Sequence, residues 1–215
     1  MTDQNREAAK ILLDTRSVLF NAREPFTYTS GRKGPVYVDC RRLISFPEGR
    51  TRLMDMGAAM LKRECGRIDF VAGGETAGIP YAAFISERLD SPMLYVRKKP
   101  KGFGRMAQIE GCMDEPGARV VLIEDLQTDG GSKKVFVDAL RDAGAMVEHA
   151  FVIFHYGIFP ASEQNMQAMG IKLHALCTWW DVLAAAKDGK YFDPETLKSV
   201  ETYLSNPQEW AQASA

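Results

Sequence analysis

The stretch Val120-Val121-Leu122-Ile123-Glu124-Asp125-Leu126-Gln127-Thr128-Asp129-Gly130-Gly131-Ser132 constrains this fold more than any other part of the chain. Four branched apolar residues run into two carboxylates, then into a Thr/Asp/Gly/Gly/Ser turn, and a helical pattern follows. An apolar run bounded by turn residues predicts a buried parallel strand over 120–123, because a strand covered on both faces has no polar side to alternate. The small polar residues predict a strand-to-helix loop. At the start of a helix such a loop exposes backbone N–H groups at the positive end of the helix dipole, which makes a cradle for phosphate. Adjacent carboxylates at the end of a buried strand are costly unless used. Glu124 and Asp125 repel phosphate, so they suit hydroxyls, a cation or a developing positive charge. The expected ligand is a sugar phosphate.

Strand and helix signals alternate around this centre. Ala8, Ile11, Leu12, Val18 and Leu19 lie at helical spacing and predict an N-terminal amphipathic helix over 8–20. Residues 26–39 read as a hairpin, with β-prone arms on either side of Ser30-Gly31 and Gly34-Pro35. A helix is expected over 47–65, and a strand over 68–72 that enters a glycine-punctuated loop, Gly73-Gly74-Glu75-Thr76-Ala77-Gly78-Ile79-Pro80. A helix over 81–89 and a strand over 93–96 come next. Residues 97–111 are polar, basic and without periodicity, and a loop of about 15 residues in a compact domain is usually functional or disordered. Beyond the central strand, a helix over 132–143 closed by Gly144, a strand over 146–154, a helix over 161–169, a strand over 172–177 and helices over 180–187 and 194–204 complete the pattern. This alternation predicts an α/β fold with a mainly parallel sheet. Ligands of such folds sit beyond the carboxyl ends of the strands, where both glycine loops and the basic loop should meet.

With 215 residues, 46% of them hydrophobic, the chain can bury one good core, with at most a small appended lobe. A net charge of −1 gives no reason to expect nucleic acid or an anionic membrane as a partner. No apolar run approaches the roughly 20 residues of a membrane span, and the polar start of the chain lacks a signal-peptide core. Cys40, Cys65, Cys112 and Cys177 are scattered singly, and His149, His155 and His174 form no metal-binding motif. The expectation is reduced thiols in a cytoplasmic protein and no structural zinc site.

The basic loop, Arg97-Lys98-Lys99-Pro100-Lys101-Gly102-Phe103-Gly104-Arg105, is either a solvated surface segment or a hinged cover for a polyanion. The glycines of the 73–80 loop would let backbone N–H groups approach a diphosphate. Phe26, Tyr28 and Tyr37 suit a packed hairpin face, one of them able to cover a planar base. Trp179-Trp180 and Met54, Met56 and Met60 read as core.

The 121–132 segment resembles the phosphoribosyl-diphosphate (PRPP) motif of type I phosphoribosyltransferases. Four further stretches resemble the orotate phosphoribosyltransferase family in particular. They are Ser30-Gly31…Gly34-Pro35…Tyr37…Asp39…Arg41, Gly78-Ile79-Pro80, Arg97-Lys98-x-x-Lys101-x-x-Gly104 and Ile109-Glu110-Gly111. The likeness covers roughly residues 8–185. It implies the type I phosphoribosyltransferase fold as a single domain over 1–215, with a mainly parallel central sheet flanked by helices. A small hood would come from about 8–45 and 155–180, and a mobile catalytic loop from about 97–111. It also implies transfer of 5-phosphoribose from PRPP to orotate in UMP biosynthesis, with Mg2+ carried by PRPP and no metal held directly by the protein. On this likeness Lys101, Asp125 and Glu124 are the catalytic residues. PRPP would be bound by Arg97, Lys98, Lys101, Glu124, Asp125, Leu126, Gln127, Thr128, Asp129, Gly130, Gly131 and Ser132, with Glu75 and Thr76 on the diphosphate. Orotate would meet Thr128, His155 and Tyr37. Arg97 would reach the neighbouring subunit's site in a homodimer.

Three positions depart from the family pattern. Phe103 replaces a loop histidine, Thr29 replaces a lysine, and Phe154-His155-Tyr156-Gly157 replaces an Asp-Arg pair whose arginine grips the carboxylate of orotate. His155, if protonated, or Tyr156 would assist Thr128 there, and orotate affinity would then fall between about pH 6 and 8. Gln127 and Asp129 are unusual within the phosphate loop, but neither removes a backbone donor, and Asp129 offers an additional acid. Two other functions fit less well. A phosphoribosyltransferase for another base is disfavoured by the 30–41 hairpin, and a non-catalytic PRPP-binding regulator by the retained loop lysines.

Overall fold

The computed structural model describes residues 2–28, 31–101, 108–208 and 210. Thr2 opens the first helix, α1 (Asp3–Asp14), with a capping box, and Ala8, Ala9, Leu12 and Leu13 form its buried stripe. The helix stops earlier than the apolar spacing predicts. The Thr15 hydroxyl donates back to the Ile11 carbonyl, and Arg16 adopts φ +53°, which turns the chain out of the helix. Val18 and Leu19 therefore belong to a strand, β1 (Val18–Phe20), whose alternating burial mimics a continued helical face.

The hairpin is also re-paired. Strands β2 (Phe26–Thr27) and β3 (Lys33–Gly34) face each other, Phe26 opposite Gly34. Strand β4 (Val36–Val38) instead pairs antiparallel with β1, Val18 opposite Val38. Gly34 is required here because the Tyr28 ring lies where a Cβ would stand, and the Tyr28 hydroxyl donates to the Val36 carbonyl at 2.7 Å. A 3-10 turn over Cys40–Ser45 leads to α2 (Pro47–Glu64).

The strands β5 (Phe70–Gly74), β6 (Met93–Val96), β7 (Ile109–Glu110), β8 (Arg119–Gln127), β9 (Met146–His155) and β10 (Lys172–Thr178) form one sheet in the order β10-β9-β8-β5-β6-β7. The β8–β9, β8–β5 and β5–β6 pairs are parallel, and β7 runs antiparallel to β6. Helices α3 (Gly78–Leu89), α4 (Lys133–Asp142) and α5 (Pro160–Ala168) alternate with these strands. The architecture is α/β, a mainly parallel central sheet with helices between its strands. Central β8 is longer than the 120–123 run, so Glu124 and Asp125 lie within the strand and not after it. The chain ends in α6 (Trp179–Asp188) and α7 (Pro194–Ser205).

The chain divides into two compact units. One gathers 1–49, 156–158 and 177–215; the other holds 50–155 and 159–176. In the first, Trp179 is fully buried and packs near Phe20 and Tyr156, whereas Trp180 is 42% exposed and is not core. In the second, Val120, Leu122, Phe136, Val137, Leu140, Val147 and Ala150 share one apolar cluster. Among the described residues no helix is long and apolar enough to cross a membrane, and none of the four cysteines is in a disulfide.

Candidate active site

The second unit brings together the carboxyl ends of β5 and β8 and the start of α4. β8 sits between β5 and β9, so its carboxylates leave water: Glu124 and Asp125 are each 9% exposed. Glu124 Oε1 is buried without a hydrogen-bond partner. Burial pushes the Glu124 carboxyl up to about 7, partly opposed by Lys133 and reinforced by Asp125. Gly74, at the end of β5, is obligatory beside it, because a Cβ there would collide with Glu124 Oε1.

Sequence reasoning overlooked Lys133. Its side chain is 1% exposed, and its ammonium donates to the Leu126 carbonyl at 3.1 Å. Desolvation lowers its pKa, while Glu124, Asp125 and Asp129 hold it up. The signal is in the periodicity. Lys133, Phe136, Val137 and Leu140 are the buried residues of α4, spaced i, i+3, i+4, i+7, so a lysine occupies a core-facing position of this helix. A buried ammonium beside two buried carboxylates is a fixed charge cluster, and its arrangement is set before any ligand arrives.

The turn that follows β8 behaves as a cradle in part. Helix α4 starts without a side-chain cap; Lys133 N–H donates to the Gly130 carbonyl at 3.1 Å, and the dipole of the helix start favours an anion there. Gly130 adopts φ +82°, a conformation that favours glycine. Asp129 holds the turn from both sides: its Oδ1 accepts from Gly131 N–H at 3.0 Å, and its carbonyl accepts from Asn165 Nδ2 at 2.8 Å. One of the expected backbone donors is thus occupied by the loop's own acid. Thr128 is half-buried and Ser132 exposed.

Gln127 and His155 are drawn elsewhere. They are register partners on β8 and β9, and both reach Ser162 of α5. Gln127 Nε2 donates to Ser162 Oγ at 2.7 Å, which frees the hydroxyl hydrogen to point at His155 Nε2, 2.8 Å away. Burial first, then the charge on Lys133, lowers the His155 pKa. This environment favours the neutral imidazole, in which His155 would meet orotate as a hydrogen-bonding ring and not as a cation.

The glycine loop and the basic segment are tied together. The loop between β5 and α3 is short, Glu75, Thr76 and Ala77, and its Glu75–Thr76 peptide is cis. Glu75 N–H donates to the Val96 carbonyl and Glu75 Oε2 accepts from Lys98 N–H, at 2.9 and 2.8 Å. Arg97 and Gln108 close the base of the basic segment through Arg97 N–H to the Gln108 carbonyl and Gln108 Nε2 to the Arg97 carbonyl. Lys101 forms an ion pair with Glu110, and Arg97 Nη1 lies 3.7 Å from the same carboxylate. Phe103 and the rest of 102–107 lie outside the described residues, as do Thr29 and Ser30. Tyr37 belongs to the first unit, where it packs on Phe26 with ring centroids 5.5 Å apart.

This constellation provides buried anions, an anion-accepting helix start and paired lysines within one unit. No protein-family model matches the chain. An orotate phosphoribosyltransferase of Dinoroseobacter shibae is 58% identical over 210 residues, covering 97% of this chain and 92% of that protein. The chain belongs to the orotate phosphoribosyltransferase family. Among solved structures, the orotate phosphoribosyltransferase of Aeropyrum pernix matches with a TM-score of 0.71 at 30% identity, over 86% of this chain and 99% of that one. The UMP synthase of Leishmania donovani matches with a TM-score of 0.78 at 28% identity, over 93% of this chain but only 42% of that protein.

Proposed function

We propose that this enzyme transfers 5-phosphoribose from PRPP to orotate, giving orotidine 5′-phosphate and diphosphate. The observation that carries the reading is the buried Glu124–Asp125–Lys133 cluster at the head of the 128–132 turn, in a chain of this family. The orotate nitrogen forms its bond to C1′ as the C1′–O bond breaks, and the electron pair leaves on diphosphate. Positive charge builds on the ribose in between. Glu124 and Asp125 hold the ribose hydroxyls and favour that charge, while Thr128 to Ser132 and the start of α4 hold the 5′-phosphate. Glu75 and Thr76 offer the diphosphate a backbone approach, and Lys98 and Lys101 neutralise it as it departs.

Mg2+ would ride on PRPP, and Glu124 Oε1, a buried carboxylate oxygen with no partner in the protein, leaves the site able to tolerate the ion's charge beside it. When bound, the ion offsets charge on the diphosphate. Orotate recognition by Thr128, His155 and Tyr37, a cytoplasmic homodimer, and an Arg97 that serves the neighbouring subunit's site belong to the same proposal, on the family likeness.

The test is turnover with PRPP, Mg2+ and a panel of orotate, uracil, xanthine and adenine. Loss of the orotate absorbance, with no reaction of the other three, is expected. Preferential turnover of another base, or binding of PRPP without any turnover, overturns the reading.

A further inference from the structure

Three residues far apart in sequence, none in a metal-binding spacing, converge in the second unit. Cys65 follows the last turn of α2, His149 lies on β9 and His174 on β10. Their ligand atoms all fall within 4.8 Å of one another. His149 Nδ1 and His174 Nε2 are 3.0 Å apart, and Cys65 Sγ is 3.7 Å from the same Nε2. A tetrahedral ion with nitrogen at about 2.0 Å and sulfur at about 2.3 Å spaces its ligands at roughly 3.3–3.6 Å. Two of the three separations already stand near those values, and the third is within 4.8 Å.

We propose that Cys65, His149 and His174 form a binding site for a borderline transition-metal ion of the zinc class, separate from the catalytic site. His149 pairs in register with Val121 and His155 with Gln127. Six residues of strand therefore separate the cluster from the catalytic end of the sheet, about 20 Å at the usual rise. The donor set of one thiolate and two imidazoles suits zinc or cobalt and disfavours the hard ions that prefer oxygen.

The surroundings agree. A cavity of about 50 Å³ borders Cys65 and His149 and is large enough for a water as fourth ligand. Of the nearby cations, Arg63 and Lys172 are held by Glu64 and Arg67 by Asp69, while Arg119 lines the cavity. Glu148 also lines the cavity. An ion here would replace the contact between His149 Nδ1 and His174 Nε2 by a bond to each nitrogen. The metal ligand is the thiolate, so binding must release the Cys65 proton to solvent. An ion here would clamp the end of α2 to two strands of the sheet and stabilise the fold in proportion to its affinity.

The experiment titrates the tag-free full chain, treated with chelator, with Co2+ and then Zn2+. One equivalent of Co2+ should give intense visible bands and a thiolate-to-cobalt charge-transfer band, both removed by Zn2+. Cys65→Ser should abolish the charge-transfer band and weaken binding at least about tenfold. Cys112→Ser, at an exposed thiol elsewhere, should leave the band intact. Orotate turnover of Cys65→Ser should stay within about twofold of the unsubstituted enzyme. A wild-type titration without the charge-transfer band overturns the proposal even if no variant folds. So does a band that survives in Cys65→Ser or disappears in Cys112→Ser.

Discussion

At the carboxyl end of β8 the charges are buried, whereas along the segment leaving β6 they are half-exposed and paired with one another. Glu124, Asp125 and Lys133 are 9%, 9% and 1% exposed. The Lys101 and Glu110 side chains keep 35% and 25% of their surface in water. Burial makes the first group expensive to charge and fixes its geometry in advance, which favours stabilising charge on a ribose that is itself held still. The second group is weakly bound, since a partly exposed ion pair contributes about 0–1 kcal/mol. A diphosphate can therefore take Lys101 from Glu110 at little cost. The difference separates a preorganised site from an exchangeable one.

The largest effect should come from the exchangeable side. Once a departing diphosphate has taken Lys101 from Glu110, the ammonium is aimed at developing charge, and such donors commonly contribute about 3–4 kcal/mol to the transition state. Lys101→Ala should thus lower kcat at least about a hundredfold while PRPP binding stays largely intact. Steady-state and equilibrium-binding measurements check this, and near-wild-type turnover would remove Lys101 from the chemistry.

Lys133→Met probes the buried side with a chain of similar length and no charge. Glu124 sits at about 7 with Lys133 holding it down, so removing the cation must raise it further. A rise of one unit cuts the ionised fraction at pH 7 from about one half to about one tenth. The value of kcat/KM should fall about five- to tenfold at pH 7 and recover towards pH 9. A deficit independent of pH would mean that Lys133 acts by packing alone.

The unsubstituted enzyme should show the same group in two opposite ways. Activity should rise several-fold as pH passes through about 7, because ionised Glu124 is the useful form. Stability of the ligand-free protein should move the other way. The folded carboxyl is raised from 4.5 to about 7. Its contribution to stability is therefore fully present below about 4.5 and is lost as pH climbs through 7, by about 3 kcal/mol at most. Glu124→Gln should flatten both trends in pH–rate profiles and in thermal melts. Persistence of the acid limb in that variant would assign it to another group.

The same contrast explains what was legible in the sequence. Apolar runs and glycine turns placed most strands and helices of the sheet, because periodicity reports burial directly. It failed at Val18 and Leu19, where strand alternation and a helical stripe coincide over two residues. It failed also at Val36–Val38, whose partner β1 had been assigned to a helix. Glu124 and Asp125 stood out because acids interrupt an apolar run. Lys133 did not, because a lysine at a helix start reads as solvated unless its i+3, i+4 and i+7 neighbours are read with it. The pairing of Gln127 and His155 through Ser162 depends on three separate segments, and no local pattern encodes it.

The smallest effect concerns the exposed rim of the buried site. Asp129 Oδ1 occupies Gly131 N–H and places a negative charge where a 5′-phosphate would come. One neutral-to-charged exchange of this kind is worth about 0.5–1.5 kcal/mol. Asp129→Ala should lower the KM for PRPP about two- to fivefold and leave kcat unchanged. Asp129→Asn separates the two causes, since the amide keeps the turn bond and drops the charge. If Asn gives the full gain, repulsion dominates; if only Ala does, the occupied donor is what matters. A higher KM in both variants would instead place Asp129 on the ribose, as the additional acid that the sequence allowed.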